Sequence, residues 1–259
     1  MKPLYLLAAC AAALVGAANA AAPACSAYSP AFTTALVELY TSEGCDSCPP
    51  ADHWLSSLFA QGFRPDQVVP LALHVDYWDY IGWKDPYAKS EFSRRQHKLV
   101  QMRRATVVYT PQVVLQGHDF RRWGTDEFTR TVARINSTPA RARIRLSLRS
   151  MTKDAANVGL VAELLGPAED AALYVAAYEN KLTSDVGAGE NRGRRLEHDF
   201  VVREWVGPIG FDRSSRIEEI RSLPLLPNAD PAHSGVAAFV QDRSTGEVLQ
   251  AVMLPACQG

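Results

Sequence analysis

The chain has 259 residues, 47% of them hydrophobic and 21% charged, with 27 Lys and Arg against 28 Asp and Glu for a formal net charge of -1. That balance supplies no basic surface of the kind that nucleic acid or an anionic membrane requires, and both partner classes are set aside. The length accommodates one large domain or two modest ones.

Residues 1–20, MKPLYLLAACAAALVGAANA, read as a cleavable secretory signal peptide. Lys2 gives a positive start, Leu4 to Ala18 an apolar stretch, and Ala18-Asn19-Ala20 a small-residue cleavage site. Leu7-Ala8-Ala9-Cys10 has the outline of a lipoprotein box, but it leaves an apolar core of only a few residues. The stretch falls short of a spanning helix and no other segment approaches one, so no membrane span is expected. A periplasmic or secreted bacterial protein follows. Without Cys10 the remaining cysteines are Cys25, Cys45, Cys48 and Cys257. An even number in an oxidising compartment points to pairing. Cys45 and Cys48 are neighbours, which leaves Cys25 and Cys257 to bridge the two ends as a structural disulfide or to stay free.

In chain order, Thr34–Tyr40 is an apolar run of strand type, followed by a helix over Ser47–Phe59 with Ala51, Trp54, Leu55 and Leu58 on one face. Pro49 and Pro50 fall in its first turn, where a missing N–H costs little. Val68–Val75 is a second strand, and a loop rich in aromatics over Asp76–Lys84 leads to a helix from Asp85-Pro86 past Phe92 to Val100. Thr106–Tyr109 and Gln112–Leu115 are further short extended runs, and Gln116-Gly117 turns the chain into Asp119–Trp123. Thr125 caps a last helix with Phe128, Val132 and Ile135 inward. Residues 30–138 thus form an α/β unit with helices on a mixed sheet.

Asn136-Ser137-Thr138-Pro139 breaks the pattern, and the hydrophobic period then becomes two. Ala142, Ile144, Leu146 and Leu148 alternate with Arg141, Arg143, Arg145 and Arg149, an arginine row that reads as a solvated strand face. Val158–Leu164, Leu173–Tyr178, Phe200–Val206, Val236–Val240 and Val248–Leu254 continue the strands, the last two flanking a hairpin loop at Asp242–Gly246. Residues 140–259 are therefore expected to form an all-β, sandwich-like domain. Gly187–Arg194 is glycine-rich but lacks phosphate-loop spacing, and reads as a mobile surface loop.

Cys45-Asp46-Ser47-Cys48 carries the chemistry. At a helix N-terminus, unpaired N–H groups and the helix dipole stabilise a thiolate, whereas Glu43 and Asp46 oppose it. A redox pair has Cys45 attacking and Cys48 resolving the mixed disulfide; a permanent structural disulfide is the plain alternative. His74 and Asp76, with the aromatic loop to Trp83, could wall the groove and shuttle protons or simply pack. Copper or zinc on Cys45, Cys48 and His74 or His118 is a competing chemistry. Haem attachment is excluded because Pro49, not His, follows Cys48.

A strand, a C-x-x-C at a helix start and a later Thr110-Pro111 before a hairpin together resemble the thioredoxin fold. That resemblance implies a thioredoxin-like α/β domain in which Pro111 is the cis-proline facing the cysteines and presents the partner, and in which Glu38, on the strand feeding the motif, is the acid that relays the resolving proton; a salt-bridged structural residue is the alternative for Glu38. VELYTSEGCDSCPPADHWL, ALHVDYWDYIGWKDPYA, YTPQVVLQG and GENRGRRLEHDFVVREW further resemble the signature stretches of a bacterial exported family catalogued as domain of unknown function 1223. It implies a thioredoxin-like part followed by a β-rich part, and the place of Gly187–Arg194 in its last stretch, with His198 and Asp199 just after, implies a binding or docking surface there. The expected activity is thiol–disulfide exchange with protein thiols or disulfides and an unknown redox partner, using no cofactor. A non-catalytic binding protein on the same scaffold is the alternative.

Overall fold

A computed structural model describes residues 25–152, 154–224 and 229–255. The expected signal peptide and Cys257, the expected partner of Cys25, lie outside the described residues. The protein is a mixed α/β structure, mostly sheet with few helices. No helix among the described residues is long and apolar enough to cross a membrane.

After a short strand β1 (Ser26–Tyr28), β2 (Ala35–Thr41) is buried at every position. A central strand covered on both faces reads as a continuous apolar run rather than an alternating one. The chain turns at Cys45–Cys48 into α1 (Pro49–Ser57), whose Ala51, Trp54 and Leu55 point inward, and β3 (Val68–His74) returns parallel to β2. A 3-10 segment, Asp76–Ile81, precedes α2 (Ser90–Met102). This helix begins five residues later than Asp85, because the Asp85 carboxylate is already used by the Glu43 and Tyr87 N–H groups and by His74. Residues 105–109 form no strand.

β4 (Gln112–Leu115) and β5 (His118–Asp119) make a tight hairpin, with Gln116 at φ 53° and Gly117 at φ 75°. Both central residues in the left-handed region match the right-handed twist of the flanking strands. The returning strand stops at Asp119 instead of reaching Trp123. α3 (Asp126–Asn136) starts at Thr125, whose hydroxyl accepts from the Glu127 N–H.

The second half is built from strands: β6 (Ala142–Met151), β7 (Ala155–Leu164), β8 (Ala171–Glu179), β9 (Leu182–Asp185), β10 (Arg195–His198), β11 (Val201–Gly210), β12 (Arg216–Pro224), β13 (Ser234–Asp242) and β14 (Val248–Pro255). They do not keep to themselves. The main sheet runs β14-β13-β8-β11-β3-β2-β4-β5, so strands from beyond residue 140 extend the sheet begun by β2 and β3. The seam is the parallel pairing of Val201 with Ala72 and the Ala72 N–H to Phe200 O bond. A four-stranded sheet, β1-β6-β7-β12, faces this main sheet.

Among the described residues two apolar cores result. One lies between the four-stranded sheet and the outer strands of the main sheet, with Ile144, Leu146 and Val158 facing Val175, Val236 and Val240. The other spans both halves and joins Leu36, Leu39 and Phe92 to Tyr174, Phe200 and Phe239. Arg95 of α2 lies against Tyr174, Trp205 and Phe239 and forms a bidentate pair with Glu38 at 2.6 and 3.0 Å. A single side chain touching β2, β8, β11 and β13 requires α2 to lie in the concave face of a curled sheet. The curl is tied by Gln250, which accepts from the Thr34 N–H and donates to the carbonyls of Pro30 and Phe32.

Candidate functional site

Cys45 and Cys48 form a disulfide at the junction of β2 and α1, with Cys48 as the residue capping the helix. Ser47 Oγ lies 3.3 Å from Cys45 Sγ. The position is the expected one, yet both cysteines are 0% exposed, whereas Asp46 and Ser47 between them are exposed.

Two loops cover the pair. From one side, a Cβ at Gly44 would meet Trp78 Cβ at 3.2 Å and Ile81 Cδ1 at 3.3 Å, so the aromatic 3-10 segment lies directly on the cysteine loop. Trp78 also donates to Thr110 Oγ1 at 2.7 Å, linking that cover to the Thr110–Pro111 peptide, which is cis. Pro111 lines a groove of 380 Å³ with Tyr109, Arg121 and Trp123. From the other side comes the glycine-rich loop. Asn191 donates to the carbonyl oxygens of Glu43 and Cys45, Glu190 N–H donates to Gly44 O, and Glu190 Oε2 accepts from the Asp46 N–H. What reads in sequence as a mobile surface loop is a latch over the motif, with Asn191 fully buried.

Behind the disulfide lies a buried polar cluster. His74 Nδ1 is 2.7 Å from Asp85 Oδ2, and His198 Nε2 is 3.2 Å from Glu43 Oε1. Trp83 Nε1 donates to the other Glu43 oxygen at 2.7 Å. Thr41 Oγ1 donates to Asp52 Oδ2 at 3.0 Å. The two imidazoles meet edge to face with centroids 4.9 Å apart. Burial pushes the Asp52 carboxyl up, against the pull of His198 and His74. For His74 burial opposes the charged form, but Asp85 beside it, with Asp52 and Glu43, turns the net shift upward. Burial also opposes ionisation of Asp85, and His74 and two backbone N–H groups bring its carboxyl below the usual range.

The remaining expected residues fall elsewhere. Asp76 does not pair with His74; its carboxylate accepts from Ser93 Oγ at 2.5 Å and so fastens the 3-10 segment to α2. Glu38 is taken up by Arg95 and Tyr40. His118 lines a separate cleft of 460 Å³ with Arg134, Arg141 and Glu247, a cleft that contains neither cysteine. Sequence reasoning passed over Asp52, Asp85 and Asn191. The signal for Asp52 is an acidic residue within the apolar face of α1, between Ala51 and Leu55.

The model of the family described as protein of unknown function (DUF1223) matches residues 36–241. Among solved structures, protein AGR_C_4864 from Agrobacterium tumefaciens is similar at a TM-score of 0.62 and 26% identity, covering 88% of this chain and 96% of that one. HBP35 of Porphyromonas gingivalis is similar in fold at a TM-score of 0.65 and 13% identity, covering 89% of this chain and 79% of that one. No curated protein matches the chain.

Proposed function

The chain belongs to the DUF1223 family of proteins of unknown function, and from its own site we propose that it is an extracytoplasmic thiol–disulfide oxidoreductase on a thioredoxin-like arrangement. The observation that carries this reading is a disulfide between cysteines three positions apart at the strand-to-helix junction, with the second cysteine at the N-cap position of α1. There the helix N-terminus favours a thiolate on reduction.

In the reducing direction, Cys45 thiolate attacks one sulfur of a partner disulfide, forming a mixed disulfide and releasing the first partner thiolate. Cys48 thiolate then attacks Cys45 Sγ, closing the Cys45–Cys48 bond and releasing the second. The partner gains two electrons and the protein loses two. Pro111 and its groove present the partner chain. Because the pair is covered, exchange requires the Glu190–Asn191 latch to lift, exposing Cys45 on the side of Asp46.

A second reading, a binding protein with structural disulfides, is favoured by the zero exposure of both cysteines. A Cys48→Ser variant separates the two. Exchange predicts mixed disulfides accumulating on Cys45 in the native compartment. If Cys45 becomes accessible to alkylation in this variant yet traps no partner, the oxidoreductase reading fails.

A further inference from the structure

We propose that Asp52, His74 and His198 form a binding site for one divalent transition-metal ion, with zinc the first choice. Among the described residues, each of these buried side chains has one polar atom already used and one without a partner. Asp52 Oδ2 is held by Thr41, His74 Nδ1 by Asp85 and His198 Nε2 by Glu43. The atoms left over are Asp52 Oδ1, His74 Nε2 and His198 Nδ1. A buried polar atom without a partner costs free energy, and three in one place call for a common partner.

The distances suit an ion. One ligand atom from each residue lies within 4.8 Å of the others, and among the described residues these three form the cluster of this kind. Three atoms that far apart at most have a common point within about 2.8 Å of each, so sub-ångström shifts reach the roughly 2.0–2.2 Å of zinc–nitrogen and zinc–oxygen bonds.

The supporting contacts point the same way. An ionised carboxylate can only accept, so in the neutral ring, the form a metal binds, each imidazole nitrogen facing one carries the proton and the opposite nitrogen keeps its lone pair. Both histidines are therefore held in the tautomer a metal needs, each backed by its own carboxylate. Glu43, Asp52 and Asp85 are three buried carboxylates, and among the described residues none is paired with a lysine or arginine. A divalent cation supplies the missing positive charge. The ligand set, two imidazoles and one carboxylate, suits zinc and leaves room for a further ligand. Neither cysteine belongs to it.

The test uses the full chain with the Cys45–Cys48 disulfide closed, so that no thiolate from this pair can contribute. After stripping with a chelator, zinc(II) and cobalt(II) chloride are titrated by calorimetry and absorption. One equivalent should bind, with a cobalt d–d spectrum lacking sulfur-to-metal charge transfer. Asp52→Asn, which keeps the shape and the Thr41 partner, and His198→Gln should each weaken binding at least about 10-fold. Failure of the folded wild type to bind either ion overturns the proposal. So does binding unchanged in both variants, or a cobalt spectrum dominated by sulfur. If the variants do not fold, stoichiometry and spectrum of the wild type still decide.

Discussion

Asn191 donates from one Nδ2 to the carbonyl oxygens of both Glu43 and Cys45, each at 2.8 Å. One buried amide from the second half of the chain thus closes the backbone around the disulfide of the first. Its own oxygen is held by Arg194 at 2.8 Å. One of the two covers over the cysteines is thus fastened by a residue 146 positions from Cys45.

Asn191→Ala should leave two carbonyls without their donor and destabilise the protein by about 1–3 kcal/mol. More tellingly, the Cys45–Cys48 bond should be reduced faster by dithiothreitol than in wild type under native conditions. Reduction rates followed by alkylation and mass spectrometry check this. An unchanged rate with lowered stability would mean that the latch does not control access.

Arg95 holds Glu38 in the concave face of the main sheet. Arg95→Met should cost about 3–5 kcal/mol, because it leaves a carboxylate buried and unpaired. Adding Glu38→Gln should recover part of that loss. Denaturant midpoints of the two single variants and the double variant check it, and equal losses for Arg95→Met and the double variant would contradict the pairing. The same result bears on function, since it assigns Glu38 to the sheet rather than to proton relay.

Gly117→Ala should destabilise by at least about 2 kcal/mol. Its φ is 75°, and an added Cβ would overlap the carbonyl of Gly246 in the β13–β14 hairpin. Thermal unfolding checks this, and a midpoint within one degree of wild type would contradict the close contact of the two hairpins.

Burial pushes the Tyr77 hydroxyl up to about 12, against its bond to Gln96, and burial together with Asp119 pushes Tyr109 up to about 12. Both folded values lie above the ordinary value of 10.0. The stability these groups contribute is therefore complete below pH 10 and is lost as pH rises through 12. Alkaline titration by tyrosinate absorbance, with urea midpoints at matched pH, checks this. Complete tyrosine ionisation of the folded protein near pH 10 would contradict it.

The parts legible in sequence are those set by local pattern. The apolar run of β2, the helical spacing of Ala51, Trp54 and Leu55, the Gln116-Gly117 turn and the Thr125 cap each have their cause within a few residues. The parts that were not legible depend on pairing over long separations. A single parallel register, Val201 with Ala72, fuses the strands beyond residue 140 to the first sheet, and no periodicity encodes such a partner. The same fusion carries His198 to His74 and Asn191 to Cys45. Asp85 misled for a related reason: an acid before Pro86 reads as a helix start, but its carboxylate is used by residues on two other segments.

Electron exchange between Cys45–Cys48 and protein partners requires a disulfide that such partners can reduce and re-form, and its equilibrium potential decides whether it is one. Full-length protein equilibrated in dithiothreitol and glutathione buffers, then quenched and alkylated, gives that value. A potential between about −270 and −120 mV, within the range of exchange-active dithiols, is predicted. A potential below about −300 mV, typical of structural bridges, would contradict it and leave the disulfide as a fixed staple beneath the Asn191 latch.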